Sequence, residues 1–76
     1  MVDVLEVYAL EEFRLRLKFD DGTEREVDVR PFLRGPIFEP LLRDRALFAS
    51  VRVDPTLGTI VWPNGADIDP DTLHEA

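Results

Sequence analysis

The chain has 76 residues, a formal net charge of −7, one histidine and no cysteine. That length allows one domain, residues 1–76, which buries only about 60% of its unfolded surface, so a partner protein or a second copy is the expected way to extend its core. With 45% apolar and 33% charged residues the chain is globular, and the composition excludes disulfides, thiolate or His-rich metal sites and nonspecific nucleic-acid binding, which needs a cationic footprint.

The start, Met-Val-Asp-Val-Leu-Glu, has neither a basic leader nor an apolar run long enough for a signal peptide or a membrane span, so a cytoplasmic protein is expected. Val2 to Tyr8 is rich in β-formers and reads as a strand. Its alternation slips between Val4 and Leu5, which points to a bulge or to burial on both sides.

Phe13, Leu15, Leu17 and Phe19 alternate with Arg14, Arg16 and Lys18, the period of a half-buried strand. Thr23 to Val29 follows as its hairpin partner. A two-residue turn at Asp21-Gly22 would put Glu26 opposite Leu17 and mix charge into the core. A three-residue loop, Asp20-Asp21-Gly22, instead pairs Phe13 with Val29, Leu15 with Val27 and Phe19 with Thr23 on one face. On the other it pairs Arg14 with Asp28, Arg16 with Glu26 and Lys18 with Glu24, opposite charges each worth about 0.2–1 kcal/mol. Only Arg25, opposite Leu17, breaks the apolar face. Such a loop is a type I turn closed by a left-handed glycine, here Gly22.

Pro31, Gly35, Pro36 and Pro40 then punctuate an apolar segment: a short turn at 31–34 and a helix near 37–43 that Pro40 starts or interrupts. Asp44 caps a further turn through Ala49. Val51 to Val53 and Thr59 to Trp62 read as short strands joined by Asp54-Pro-Thr-Leu-Gly58. Asp69 caps a last helix, with Pro70 at its first position and Asp71 in its first turn. The expected fold is α+β: a small antiparallel sheet of four to five strands (about 2–8, 12–19, 23–29, 50–53 and 59–62) with short helices (about 37–43, 44–48 and 70–75) on one face.

Charge is segregated. Residues 1–29 carry nine acids and four bases, residues 30–52 two acids and five arginines, and residues 53–76 five acids and no Lys or Arg. Arg30, Arg34, Arg43 and Arg45 form either a solvated helix surface or a basic strip that meets an acidic partner or the chain's own acidic tail.

Phe-Asp-Asp-Gly-Thr at 19–23, the approach from Phe48 to Val53, and Ile-Val-Trp-Pro-Asn-Gly-Ala-Asp-Ile-Asp-Pro-Asp-Thr-Leu at 60–73 resemble the domain of unknown function 2442 family. The resemblance covers essentially the whole chain, and its Trp-Pro-Asn-Gly-x-Asp block is the specific part. It implies a small α+β domain on an antiparallel sheet, from bacteria or archaea. Relatives are in some cases fused to a helix-turn-helix domain, and many are encoded beside another small protein in an arrangement suggestive of a toxin–antitoxin pair. It implies no catalytic residue.

Asp67, Asp69 and Asp71 have the spacing that opens a calcium loop. Such a loop needs Gly at its sixth position and Glu at its twelfth; Thr72 occupies the sixth. Helix capping explains these acids better, and no metal or cofactor is expected. Trp62 reads as a core plug needing a partner for its indole N–H. As the alternative, Trp62, Asn64 and Asp67 form one corner facing a ligand. The only Ser, Ser50, has no base near it in sequence, so no hydrolytic triad is expected. The reading is a non-catalytic protein-interaction domain, antitoxin-like or regulatory in a two-gene pair, with a basic partner encoded beside it. A metal-assisted enzyme using the C-terminal aspartates and a purely structural dimerisation domain are the alternatives.

Overall fold

In a computed structural model that describes residues 2–76, the alternating segment forms strand β2 (Arg14–Phe19) between β1 (Val4–Ala9) and β3 (Glu24–Asp28). The β2–β3 register is the one that keeps charge out of the core: Arg14 opposite Asp28, Leu15 opposite Val27, Arg16 opposite Glu26, Leu17 opposite Arg25 and Lys18 opposite Glu24. Phe19 N donates to Thr23 O (2.9 Å) and Gly22 N to Phe19 O (3.1 Å), with Gly22 at φ +89°. This is the type I turn with a left-handed glycine that the sequence requires. The left-handed region costs an L-residue about 1–2 kcal/mol, so Gly22→Val is expected to lower the urea midpoint by about that stability. An unchanged midpoint would contradict the register.

The ion pairs between β2 and β3 on the outer face do not form between directly opposed residues. Arg14 bonds Glu26 (2.5 Å) and Arg16 approaches Glu24 (3.9 Å), both one step along the diagonal, and Lys18 turns to Glu6 of β1 (3.8 Å). Long side chains reach diagonal neighbours, and strand twist favours one diagonal between β2 and β3, while Lys18 meets Glu6 directly opposite it.

The bulge in β1 falls where the alternation slips. Val4 pairs with Phe19 but Glu6 with Lys18, so Leu5 is the extra residue. Leu5 is thereby pushed outward and is 52% exposed.

Past a 3-10 turn (Arg30–Phe32), helix α1 (Glu39–Arg43) has Pro40 in its first turn, and α2 (Arg45–Ala49) is capped by Asp44, whose side chain accepts from Leu47 N at 3.2 Å. The chain then forms β4 (Arg52–Asp54), β5 (Thr59–Val61) and β6 (Asp67–Ile68), and ends in α3 (Pro70–Glu75). Asp69 caps α3 by accepting from Thr72 N at 3.2 Å, with Pro70 in the first turn.

The expected single sheet of four to five strands is corrected to six strands in two three-stranded antiparallel sheets, β1-β2-β3 and β4-β5-β6. Two things hid this. The two-residue β6 is too short to show a period. It exists because the Trp62–Gly65 turn folds Asp67 and Ile68 back onto Val61 and Ile60. In addition, β1 lies beside β4 without a ladder between them. Val4 N donates to Gly58 O (2.9 Å), and among the described residues that is the backbone bond joining β1 to the second sheet. The bulge follows at once, and bulges bend strands out of pairing.

One apolar core draws on both sheets and all three helices: Val4, Leu15, Leu17, Phe19, Val27 and Val29 from the first sheet and its ends, Ile60, Trp62 and Ile68 from the second, and Leu41, Phe48 and Leu73 from the helices.

Candidate functional site

The residues that the sequence singles out are placed mainly by bonds within the fold. Trp62 is the core plug of its main reading and not the partner-surface residue of the alternative. It is 2% exposed, packs tilted on Phe48 with ring centroids 6.0 Å apart, and donates its indole N–H to Phe48 O at 2.9 Å. Asn64 stays exposed but uses both ends of its amide. Oδ1 accepts from Ala66 N (3.1 Å), and Nδ2 donates to Ile37 O (2.8 Å), tying the turn to the segment ahead of α1. Asp67 is exposed on β6, opposite Val61. The alternative corner of Trp62, Asn64 and Asp67 does not face outward as a unit, because Trp62 is buried.

The turn at 62–66 repeats the turn at 19–23. Trp62 N donates to Ala66 O (2.8 Å) and Gly65 N to Trp62 O (2.9 Å), with Gly65 at φ +91°. In each turn a buried aromatic residue opens the loop and an Asx residue precedes the glycine. Its Oδ1 accepts from the backbone N two residues on, Thr23 N for Asp21 and Ala66 N for Asn64. The other end of each Asx then reaches a distant segment. For Asp21 that segment is α3: Oδ2 lies 2.9 Å from His74 Nε2.

His74 also stands edge-on to Phe19 (centroids 4.8 Å apart), and Leu73 beside it is fully buried. Arg25, the apparent error in the apolar face of β3, donates to the backbone oxygens of His74 and Ala76. Free carbonyls at a helix C-terminus are what a guanidinium satisfies. Hydrogen bonds from the Thr23 hydroxyl and amide, then the contact with His74, lower the Asp21 carboxyl from 3.8 to about 2. A lowered folded-state pKa gives stability that is complete above about pH 4 and is lost as pH falls toward 2. Asp21→Asn is therefore expected to cost stability at pH 6 and to converge on the wild type near pH 2 in urea titrations. A constant difference across that range would refute this.

The arginine strip is dispersed over separate partners, some local and some distant in sequence. Arg34 Nε donates to Pro31 O (3.1 Å), and Arg43 pairs with Glu39 one helical turn away. Arg45 donates to the backbone oxygens of Leu10 and Glu12 and covers the Phe48 ring (4.9 Å), and Arg30 covers Phe13 (5.4 Å). Phe13 and Phe48 meet edge to face at 5.3 Å, so Arg30 and Arg45 flank one aromatic pair. Arg45 also holds the turn in which Glu12 adopts φ +55°, a left-handed residue that is not glycine. A groove of about 430 Å³ beside these helices is lined by Pro36, Glu39, Pro40, Arg43, Asp44 and Leu47.

The C-terminal aspartates are also divided. Asp67 lies on a strand, Asp69 caps α3 and Asp71 sits in its first turn. Among the described residues no three His, Asp or Glu side chains are grouped to hold a metal ion. Ser50 donates its hydroxyl to Ala46 O (2.8 Å). Among the described residues no helix is long and apolar enough to cross a membrane. Tyr8, 56% exposed, donates to Glu6 Oε1 at 2.7 Å, and that bond with the carboxylate charge raises its phenol above 10.

Leu5, Tyr8, Ile37, Leu42 and Leu57 are the exposed large apolar side chains. These features describe a small α+β protein whose singled-out polar groups mostly bind its own backbone. The family model described as "Protein of unknown function (DUF2442)" matches residues 4–76, and the chain belongs to that family. Comparison with curated proteins and with solved structures gave no match.

Proposed function

We propose that this chain is a non-catalytic protein-interaction domain, the regulatory or neutralising member of a two-gene pair, whose partner is a basic protein. The observation that carries the reading is the division of labour among side chains. The groups that could serve chemistry (His74, Asp69, Ser50, Asn64) are engaged with neighbouring groups of the fold. The exposed surface offers Leu5, Tyr8 and Leu57 on a chain of net charge −7. Apolar side chains supply contact area, and the acidic excess favours a basic partner and speeds encounter. The gene neighbourhood that the resemblance implies supports the same reading.

Co-expression with the product of the adjacent gene tests it. The two proteins are expected to elute together from a sizing column, with the complex weakening as salt is raised. Separate elution, with no effect of either protein on growth, would reject the reading.

A further inference from the structure

The outer edges of β1 and β4 lie against each other, and β6 is two residues long. Strand β3, five residues long, pairs with β2 on one side and, among the described residues, with no strand on the other. The bonding pattern shows what that free edge presents. Phe19 N donates to Thr23 O (2.9 Å) and Val29 N to Phe13 O (2.9 Å), at the two ends of the β2–β3 ladder. Bonded pairs recur at every second residue of an antiparallel ladder, so Leu17–Arg25 and Leu15–Val27 are the bonded pairs between them. The N–H and C=O of Glu24, Glu26 and Asp28 are therefore directed away from β2. Among the described residues they have no backbone partner. An open edge of this kind is a template for a further strand.

Charge selects the occupant. Across the outer face the strands alternate in sign: Glu6 of β1 stands opposite Lys18 of β2, and Lys18 opposite Glu24 of β3. On this face β2 contributes Arg14, Arg16 and Lys18, and β3 contributes Glu24, Glu26 and Asp28, all three exposed. The cations of β2 do not saturate these acids. Arg14 is committed to Glu26, but Arg16 stays 3.9 Å from Glu24, and Lys18 turns away to Glu6. Asp28 is met by a backbone amide, Arg30 N at 3.0 Å, and by no cation. A basic strand continues the alternation beyond β3.

A second copy fits the edge poorly. In an antiparallel pair the bonded residues are those directed at the partner, here 24, 26 and 28 on both strands. Each register that keeps the two edges paired then sets acid directly against acid, which destabilises a ladder.

We infer that the free edge of β3 docks an extended segment of a partner protein, with basic residues at alternate positions, as a fourth strand of the first sheet. This rests on the protein-interaction reading above and names the surface it uses. The segment's backbone bonds to Glu24, Glu26 and Asp28. Its basic side chains stand beside the three carboxylates on the outer face, and the side chains between them lie on the core side, next to Arg25 and Val27.

The test uses the full chain, isotopically labelled, titrated with a short synthetic peptide alternating lysine and valine and with its glutamate counterpart. The lysine peptide is expected to shift the amides of residues 23–29 and to bind more weakly as salt rises. It is expected to slow exchange at Glu24, Glu26 and Asp28 and to leave Arg25 and Val27, already bonded to β2, unchanged. Glu26→Pro takes a donor from the free edge and none from the β2–β3 ladder, and is expected to weaken binding by about tenfold or more. Glu24→Lys, which keeps the backbone intact, is a second variant should the first disturb folding; it is expected to weaken binding and flatten the salt dependence. Asp67→Lys makes the same charge change on the second sheet and is expected to leave the shifts at β3 in place. Shifts confined to other elements, equal binding of the glutamate peptide, absence of binding, unchanged affinity in both β3 variants, or a peptide-free dimer that protects the same amides would each overturn the inference. A neighbour-encoded partner that co-elutes equally with the wild type, Glu26→Pro and Glu24→Lys would remove the β3 edge and leave the interaction reading standing. A chain that takes the peptide at β3 but no neighbour-encoded protein would do the reverse.

Discussion

Trp62→Ala is expected to destabilise the protein by about 3–5 kcal/mol, the range for removing a large aromatic from a core. For a chain of 76 residues the total stability is about 4–11 kcal/mol, so the variant loses a large share of it. Trp62 joins three parts of the molecule. Its ring lies against Phe48 of α2 and edge-on to Phe38 ahead of α1, its N–H serves Phe48 O, and its backbone closes the turn that creates β6. Trp62→Phe separates packing from hydrogen bonding. It keeps an aromatic ring and leaves Phe48 O with only the longer bond from Val51 N (3.4 Å), a cost of about 0.5–1.5 kcal/mol for one hydrogen bond lost. Urea unfolding followed by circular dichroism measures both. A Trp62→Phe variant as stable as the wild type would remove the bond to Phe48 O from the account, and a Trp62→Ala loss under about 1 kcal/mol would remove the core role.

Phe19→Ala is the second large effect, again about 3–5 kcal/mol. Phe19 is fully buried, pairs with Val4 just before the bulge, and gives His74 its edge-on partner. The variant is expected to release α3 as well as to lower global stability, because the hairpin end on which Leu73 and His74 rest loses its floor. Amide exchange at residues 73–75 should rise above the level that global unfolding explains. His74→Ala, which removes the contacts with Asp21 and the ring but leaves Leu73 in place, should loosen α3 with a much smaller global cost. Slow exchange at 73–75 in Phe19→Ala would show that α3 is held by something else.

The fold was legible where side chains repeat. Phe13 to Phe19 shows its strand by period, and the charges of Thr23 to Val29 select one register. Asp44 and Asp69 announce their helices because a short acceptor before a helix has a local purpose. Legibility failed where the deciding contact is distant. Nothing around Arg25 tells that its guanidinium crosses to the carbonyls of residues 74 and 76, and nothing around Asn64 tells that it binds Ile37. The arginines of residues 30–45 look like a surface strip by sequence, yet two of them cover aromatic rings and one braces the turn at Glu12. The two Asx-Gly turns share their hydrogen bonds and a left-handed glycine, while their letters, Phe-Asp-Asp-Gly-Thr and Trp-Pro-Asn-Gly-Ala, share only an aromatic, an Asx and a glycine.

The lock between α3 and the first hairpin has a kinetic consequence. His74 reaches Asp21 across 53 positions and Arg25 reaches the His74 carbonyl across 49. Contacts so remote in sequence demand loop closure before they reward it, which slows folding relative to domains built from local contacts. The hairpin can zip alone, but until the distant helix arrives Phe19 lies uncovered. During that interval the nascent molecule is most open to sticking to its neighbours, and chaperone capture would act there.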